Sequence, residues 1–519
     1  MSAPASKNLK WIVSFATMLG TFMEVLDTSV VNVALPHMKG AYSAGTEEIT
    51  WIITSYLVAN AIILPITGWL GNYFGRRRLY LFCLATFTLS SFACGLSPTL
   101  GIQILFRVLQ GLSGGAMVPM SQAITLEAFP DEEQGTATAV FAIGVIFGPI
   151  LGPLVGGWIT DNWSWPWIYW INVPVGLVAF FMANAFIEDP PYLARPEGRV
   201  DGWSLACIAV GLGCLELFLN RGQRLDWFAA NEVKLYAGLS ALGLALFVWR
   251  SLTAKEPLVD LTLFKLPEFA GGMLLTFMTM FGLYAALIIL PLFVQTMLGF
   301  TPTWAGVVLS PGGVASVVAM VAAGLLVGRV NGKLLLTAGV LSLAWSTWIL
   351  TRISPQTSIS FLIVARIFNG IGMGFTIVVL ATASMVRVPS PSKGQATGIY
   401  NLMRNEGASV GIAAATTILA NRAQFHHARL AERITATNPA LQQGLAGLKA
   451  GLFPRAGLDP ASTGQLARGL VGAEVLRQGY YLAFVDVFAF LSLAFLVTLP
   501  FVLALKEPPK GGGGLGALH

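Results

Sequence analysis

A helix that crosses a bilayer needs about 20 consecutive, mostly apolar residues. This sequence holds fourteen runs of that kind: 11–35, 49–71, 79–97, 102–126, 135–158, 166–187, 202–220, 233–251, 269–294, 304–327, 333–351, 358–386, 394–419 and 480–505. Few folds accommodate such a pattern. Lipid offers the backbone no hydrogen-bond partner, so only helices and closed barrels span it, and runs of this length are helices. Charged residues make up only 11% of the 519-residue chain, against about 25% in an ordinary soluble domain. A water-soluble globule could not cover itself with so few. The formal net charge of +6 therefore reads as membrane topology. No basic run carries the interleaved aromatics of a nucleic-acid groove, so no nucleic-acid partner is expected; the bilayer itself is.

The N-terminus, MSAPASKNLK, is short, and the apolar run behind it is too long for the core of a signal peptide. It reads as an uncleaved first helix. With the N-terminus inside, the cytoplasmic loops hold Arg76, Arg77, Arg78, Arg195, Arg199, Arg250, Lys255, Lys265, Arg329, Lys333, Arg387, Lys393, Lys506 and Lys510. Lys7 and Lys10 bring the total to about 16 positive residues, against about 5 in the short external loops, as the positive-inside rule requires. An even span number puts both termini in the cytoplasm, and the tail GGGGLGALH is a flexible end. Cys83, Cys94, Cys207 and Cys214 lie inside apolar runs without metal-ligand spacing. His37, His426, His427 and His519 are scattered. No HExxH and no GxxxxGK[ST] occurs, so no metal, no cofactor, no enzyme activity and no ATP-driven step is expected.

The chain repeats itself. RVLQGLSGGAMV from Arg107 and RIFNGIGMGFTI from Arg366 both read R-x-x-[QN]-G-x-x-x-G. At the same offset of 259, GTATAVFAIGVIFGPILG from Gly135 meets GQATGIYNLMRNEGASVG from Gly394. The period is eight spans. The simplest reading is six spans, two inserted spans, then six more: an N-terminal half over 1–190, inserted spans with linkers over 191–268, a C-terminal half over 269–505, and a tail over 506–519. The polar stretch 421–478 becomes a long external loop with helical patterning, and loops of that length usually carry function. Parallel repeats with a binding site between them are a transporter design.

The motifs carry a family resemblance. LDTSVVNVALP in span 1, GWLGNYFGRRR after span 2, ILFRVLQG in span 4 and GVIFGPILGPLVGGW in span 5 resemble the signatures of the major facilitator superfamily. With WIYWINVPVG, EPLVDLTLF and RAQFHHARL, the whole chain is similar to its fourteen-span drug:proton antiporters, and most to the EmrB-type branch. That resemblance implies an all-α fold of two six-helix halves plus two helices flanking the core. It implies proton-coupled export of hydrophobic or amphipathic drugs by alternating access across the bacterial inner membrane. It also implies partners: a periplasmic adaptor of EmrA type, met by the loop 421–478, and an outer-membrane channel of TolC type. Export of one specific metabolite or organic anion is the alternative.

Particular residues follow. Glu24 and Asp27 lie one turn apart on one helix face. Acids inside a span usually face a cavity and mark a proton or substrate route, and removal from water favours the neutral form of a carboxyl. Asp27 is expected to bind the proton and Glu24 to attract cations. Arg107, which the resemblance turns toward span 1, tunes them; Arg366 is its repeat copy, with no evident acid. Arg404 and Glu406, two residues apart, point to different faces and are candidates for substrate binding, Glu406 standing where the repeat has Phe147. Glu216, in a span taken as peripheral, and Asp486 are weaker candidates. Phe22, Met23, Phe281 and Tyr284 are candidate cavity residues. Gly144, Gly148, Pro149, Gly152, Pro153, Gly156 and Gly157 load span 5 with small residues and prolines, suiting a close-packed, bendable helix at the junction of the halves. Gly68, Gly75, Arg76, Arg77 and Arg78 form a tight cytoplasmic turn, weakened by Asn72 where the resemblance leads one to expect Asp.

Overall fold

The protein is described by a computed structural model, covering residues 9–130, 133–190, 201–254, 257–327, 329–432, 434, 435, 437–456 and 460–504. Lys7, Arg195, Arg199, Lys255, Lys506, Lys510 and the glycine-rich tail lie outside the described residues. No strand occurs among those described.

Every predicted span falls on a helix or on a bent pair. The helices are α1 (Leu9–Ala41), α2 (Thr46–Ile63), α3 (Thr67–Phe74), α4 (Arg76–Leu96), α5 (Leu100–Ala128), α6 (Gln134–Asn162), α7 (Trp167–Trp170), α8 (Asn172–Phe186), α9 (Gly202–Gly222), α10 (Asn231–Thr253), α11 (Pro267–Thr296), α12 (Pro302–Leu326), α13 (Gly332–Leu350), α14 (Ile359–Met385), α15 (Lys393–Ala431), α16 (Pro439–Ala456) and α17 (Pro460–Ala504). Among the described residues, ten helices are long and apolar enough to cross a bilayer, or eleven with α2 and α3 taken as one span bent by 62°. The bend falls at Pro65, which lacks an N–H and clashes with the preceding turn. Helices α5 and α15, which are not among the ten, carry Arg107, Gln110, Arg404 and Glu406, all buried within the bundle.

The sequence repeat is a repeat of packing. Helix α1 lies along α6 as α11 lies along α15; α2 pairs with α5 as α12 with α14; α4 packs on α5 and α8 as α13 packs on α14 and α17. Helices α9 and α10 pair with each other, and α9 also seats against α2 and α15.

The two sets of helices touch closely at one end. Gly68 of α3 sits on the backbone of Gly394 and Gln395, and Gly135 of α6 on that of Gly324 in α12. Gln122 Oε1 accepts from Asn401 Nδ2 at 2.7 Å, and Thr382 Oγ1 donates to Thr138 Oγ1 at 3.3 Å. Gly75, with φ of 91°, makes the turn between α3 and α4 in a conformation that favours glycine. Arg76 pairs with Glu127, and Arg77 donates to the Asn184 carbonyl at 2.7 Å and to its Oδ1 at 3.0 Å. Arg78 is exposed.

The stretch 421–478 is not a loop thrown out between spans. Helix α15 runs for 39 residues and α17 for 45; at about 1.5 Å per residue these are roughly 58 and 68 Å long, well beyond a hydrocarbon layer of about 30 Å. Their extensions, with α16 packed on α17, form a helical projection.

Candidate functional site

Opposite the closed end, a cavity of ≈ 500 Å³ opens between the halves. Helix α1 presents Glu24, Val25, Thr28, Ser29 and Asn32 to it, residues three and four apart on one face. Helix α2 adds Tyr56 and Asn60, α11 adds Tyr284, and α15 adds Arg404, Asn405 and Ser409. The cavity widens toward exposed Asn32 and Arg224. Below it a smaller apolar pocket of ≈ 40 Å³ shares Tyr284, Pro149 and Arg404 and reaches Arg366 and Tyr400.

Glu24 and Asp27 do share a helix face, but they meet different surroundings. Glu24 Oε1 accepts from Tyr56 Oη at 2.7 Å and from Asn60 Nδ2 at 3.1 Å, on the cavity wall. Asp27 lies behind that wall, 0% exposed. It accepts from Arg107 Nη1 at 2.5 Å, Asn172 Nδ2 at 2.8 Å and Gln110 Nε2 at 3.3 Å. Arg107 also donates from Nε to the Ile52 carbonyl at 3.1 Å and from Nη1 to Gln110 Oε1 at 3.0 Å. Tyr56 joins the two acids: its hydroxyl holds Glu24, and its ring centre lies 4.2 Å from the Arg107 guanidinium carbon. An ion pair this deep survives because neutral hydrogen-bonding groups on both sides, Asn172 and Gln110 for the acid and the Ile52 carbonyl and Gln110 for the base, supplement it. Tyr56, Asn60, Gln110 and Asn172 escaped the reading of single residues, although Gln110 and Asn172 stand inside motifs quoted above.

The repeat breaks here. Arg366 donates to Asn369 Oδ1 at 2.9 Å, as Arg107 does to Gln110, but no carboxylate faces it. Gly148 abuts Val25 and Gly407 abuts Phe277; on that register the counterpart of Asp27 is Thr279. Arg404 lines the cavity together with Glu24, whereas Glu406 does not line it; Ser409, one turn on from Glu406, bonds Glu216 at 2.9 Å.

Other expectations need correction. Phe22, Met23 and Phe281 are not cavity residues. Met23 is fully buried among Tyr80 and Phe87, Phe22 packs with the cluster around Leu26 and Ile52, and Phe281 packs on Phe490 with its backbone against Gly411. The helical period explains Met23, which faces away from the side of Glu24, Val25 and Thr28; Phe22 lies near the direction of Val25 and Ser29, and packing rather than period takes it out of the lining. Tyr284 alone of the four lines it. Span 7 is not peripheral, because α9 supplies Glu216, Leu219 and Asn220 to the wall, with Gln223 just past its end. Asp486 is held by Arg422 at 2.5 Å and His426 at 2.7 Å, away from the cavity lining. In α6, Gly144, Gly148, Gly152 and Gly156 bring the helix against Met18, Val25, Ser29 and Val30 of α1, but Gly157 touches nothing. The Pro153 side chain lies outside the described residues. The opposite flank of α6 packs Ala139, Ala142 and Ile146 on Met320 and Ala323 of α12, so this helix does stand where the halves meet.

Comparison with known proteins agrees with this architecture. A family model described as Major Facilitator Superfamily matches residues 17–412. The fatty acid resistance protein FarB of Neisseria gonorrhoeae is 33% identical over 507 residues, 98% of each chain. The multidrug export protein EmrB of Escherichia coli K12 is 33% identical over 513 residues, again 98% of each. Among solved structures, the human organic anion transporter MFSD10 aligns with a TM-score of 0.62 at 14% identity, over 95% of this chain and 99% of its own. The proton:xylose symporter XylE aligns at 0.61 and 15%, over 96% and 97%.

Proposed function

This chain belongs to the major facilitator superfamily, in its EmrB-type branch, and we propose that it is a proton-driven exporter of hydrophobic and amphipathic compounds working by alternating access. It is a multi-pass membrane protein; we place it in a bacterial inner membrane with fourteen spans, both termini cytoplasmic, and read α1–α8 and α11–α17 as the two moving halves. On that orientation the closed end is cytoplasmic and the cavity faces outward. The observation that carries the reading is the link from Glu24, on the wall of the cavity, through Tyr56 to the buried Arg107–Asp27 pair. A proton arriving from outside meets Glu24 first. Neutralising it changes the field on Asp27 and, across the cavity, on Arg404, so substrate and proton compete for one set of charges. The glycine face of α6 against α1 and its small-residue flank against α12 let the halves rock.

A second reading concerns charge. Among the described residues neither Arg404 on the cavity wall, across from Glu24, nor Arg366 in the pocket below it forms a direct ion pair, and an apolar slot lies between them. That favours amphipathic anions with a carboxylate head, and a relative named for fatty acid resistance points the same way. The projecting ends of α15 and α17 expose Phe425, Leu466, Leu470 and Leu476; we assign them to the periplasmic adaptor of a tripartite pump ending in an outer-membrane channel.

The test is proton release from the full chain in weakly buffered detergent on adding lipophilic cations, neutral uncouplers or lipophilic anions. Release by the wild type, lost in Asp27→Asn and Glu24→Gln, is expected, and the active compounds define the substrate class. Compounds that bind without any release would overturn proton coupling.

A further inference from the structure

The inserted helix α9 covers a flank that the other half leaves bare. Phe147 of α6, the repeat counterpart of Glu406, is 38% exposed, whereas Glu406 is 5% exposed. Helix α9 is held on α15 by Ser409 Oγ, which donates to Glu216 Oε1 at 2.9 Å. Just past its end, Trp227 Nε1 donates to Thr417 Oγ1 at 3.1 Å. Glu216 is itself 3% exposed, and its other oxygen accepts from Asn220 Nδ2 at 2.9 Å. Both carboxyl oxygens of Glu406 are buried and accept no hydrogen bond. Ser409 lies one helical turn beyond Glu406 on α15, so its bond to Glu216 sets the two carboxyls on the same side of that helix.

Among the described residues no cation forms an ion pair with either acid, and Arg224, which shares the cavity lining with Glu216, is exposed. Arg404 turns to Glu24. On the elements packed against α9 and α15, Arg107 binds Asp27, Glu268 binds Arg387, Asp486 binds Arg422 and His426, Glu232 binds Arg221 and Asp201 binds Arg250. Arg366 bonds Asn369. Two neighbouring carboxylates cannot both ionise in such surroundings, and one shared proton is the usual resolution. A metal ion is a poor fit, since among the described residues no third His, Cys, Asp or Glu joins them.

We propose that Glu216 and Glu406 form a second proton-binding site, separate from the Glu24–Asp27 cluster, in which a shared proton seals the inserted helix against α15. Glu216 lines the cavity and is the side that protons reach; Glu406 stands behind it. The inserted span thereby supplies half of an ion site.

Infrared difference spectra of the full chain in nanodiscs, taken between acid and alkaline pH, read the carbonyl stretch of protonated carboxyls. They do so whether or not transport is proton-driven, so failure here and failure of the antiport reading are distinguishable. A carbonyl band lost at alkaline pH is expected in the wild type. Glu406→Gln and Glu216→Gln should each shift this band and lower the pH at which it is lost, because the remaining acid no longer shares its proton, while Glu24→Gln and Asp27→Asn leave its position unchanged. Glu406→Asp should restore the higher pH of loss, which separates loss of the carboxyl from loss of the fold. The proposal is overturned by a band unchanged in Glu406→Gln, by a Glu406 band unmoved in Glu216→Gln, or by a pH of loss that Glu406→Asp fails to restore.

Discussion

Removing the charge of Asp27 while leaving Arg107 in place should cost more than removing both. In Asp27→Asn the amide oxygen can still accept from Asn172 or Gln110, so those bonds largely survive. What is lost is the partner of a guanidinium that is 1% exposed. Two unit charges about 4 Å apart attract by roughly 4 kcal/mol at an effective dielectric of about 20. Stranding one member of a buried pair typically costs about 3–5 kcal/mol, whereas replacing both with neutral groups is often near neutral. Arg107→Gln strands Asp27 likewise and also loses the bond to the Ile52 carbonyl. In a double-mutant cycle each single variant is therefore expected to lose about 3–5 kcal/mol, and the double variant to lose less than either, so that more than half of the summed loss is recovered. Reversible unfolding in mixed micelles of rising SDS content supplies the four free energies. Additivity within about 0.5 kcal/mol would refute the argument, because the two side chains would then not be acting as one buried pair.

Two further outcomes follow from groups outside the membrane. Asp201 caps α9, accepting from the Trp203 and Ser204 amides, and takes Arg250 Nε of α10 at 2.7 Å. Burial alone would raise its pKa, but the bonds from Arg250 and Ser204 hold it below the ordinary 3.8. A depressed folded value means that the contribution is full above 3.8 and is lost only as the pH falls below it. Asp201→Asn should thus destabilise by about 1 kcal/mol, discounted for exposure, equally at pH 6 and pH 8 when unfolding is measured at both, and the wild type should approach the variant only in strong acid. Replacing Phe425, Leu466, Leu470 and Leu476 together by Ser should abolish capture of the cognate adaptor in pull-down while leaving drug binding by the isolated pump intact; retained capture would remove these residues from the docking surface.

Much of this protein was legible in its sequence, and the reason is the solvent. Lipid forces each spanning segment to be a long, self-bonded helix, so the fourteen runs fell on helices without tertiary information. A duplicated gene left Arg107 and Arg366, and the glycines of α6 and α15, at one offset, so the repeat of packing could be read before any contact was known. The pairing of Arg107 with the first helix came with the family resemblance.

Contacts between distant segments were not legible. Asn172 lies 145 residues from Asp27, and no local pattern says that its amide ends on that carboxylate. Helical period places Glu24 and Asp27 on one face, but only packing decided that one borders the cavity and the other is sealed behind it. The same holds for Phe22, Met23 and Phe281, whose aromatic and sulfur side chains suit a drug cavity and a close-packed core equally well. The role of the inserted spans was the most hidden. Their sequence gives two apolar helices and one acid. Only the seating of α9 between α2 and α15 sets Glu216 on the same side of α15 as Glu406. Hydrophobicity and periodicity are properties of the chain taken locally, and they set which segments cross the membrane. Which polar groups become partners is set by how the helices close on one another, and that is decided over the whole bundle.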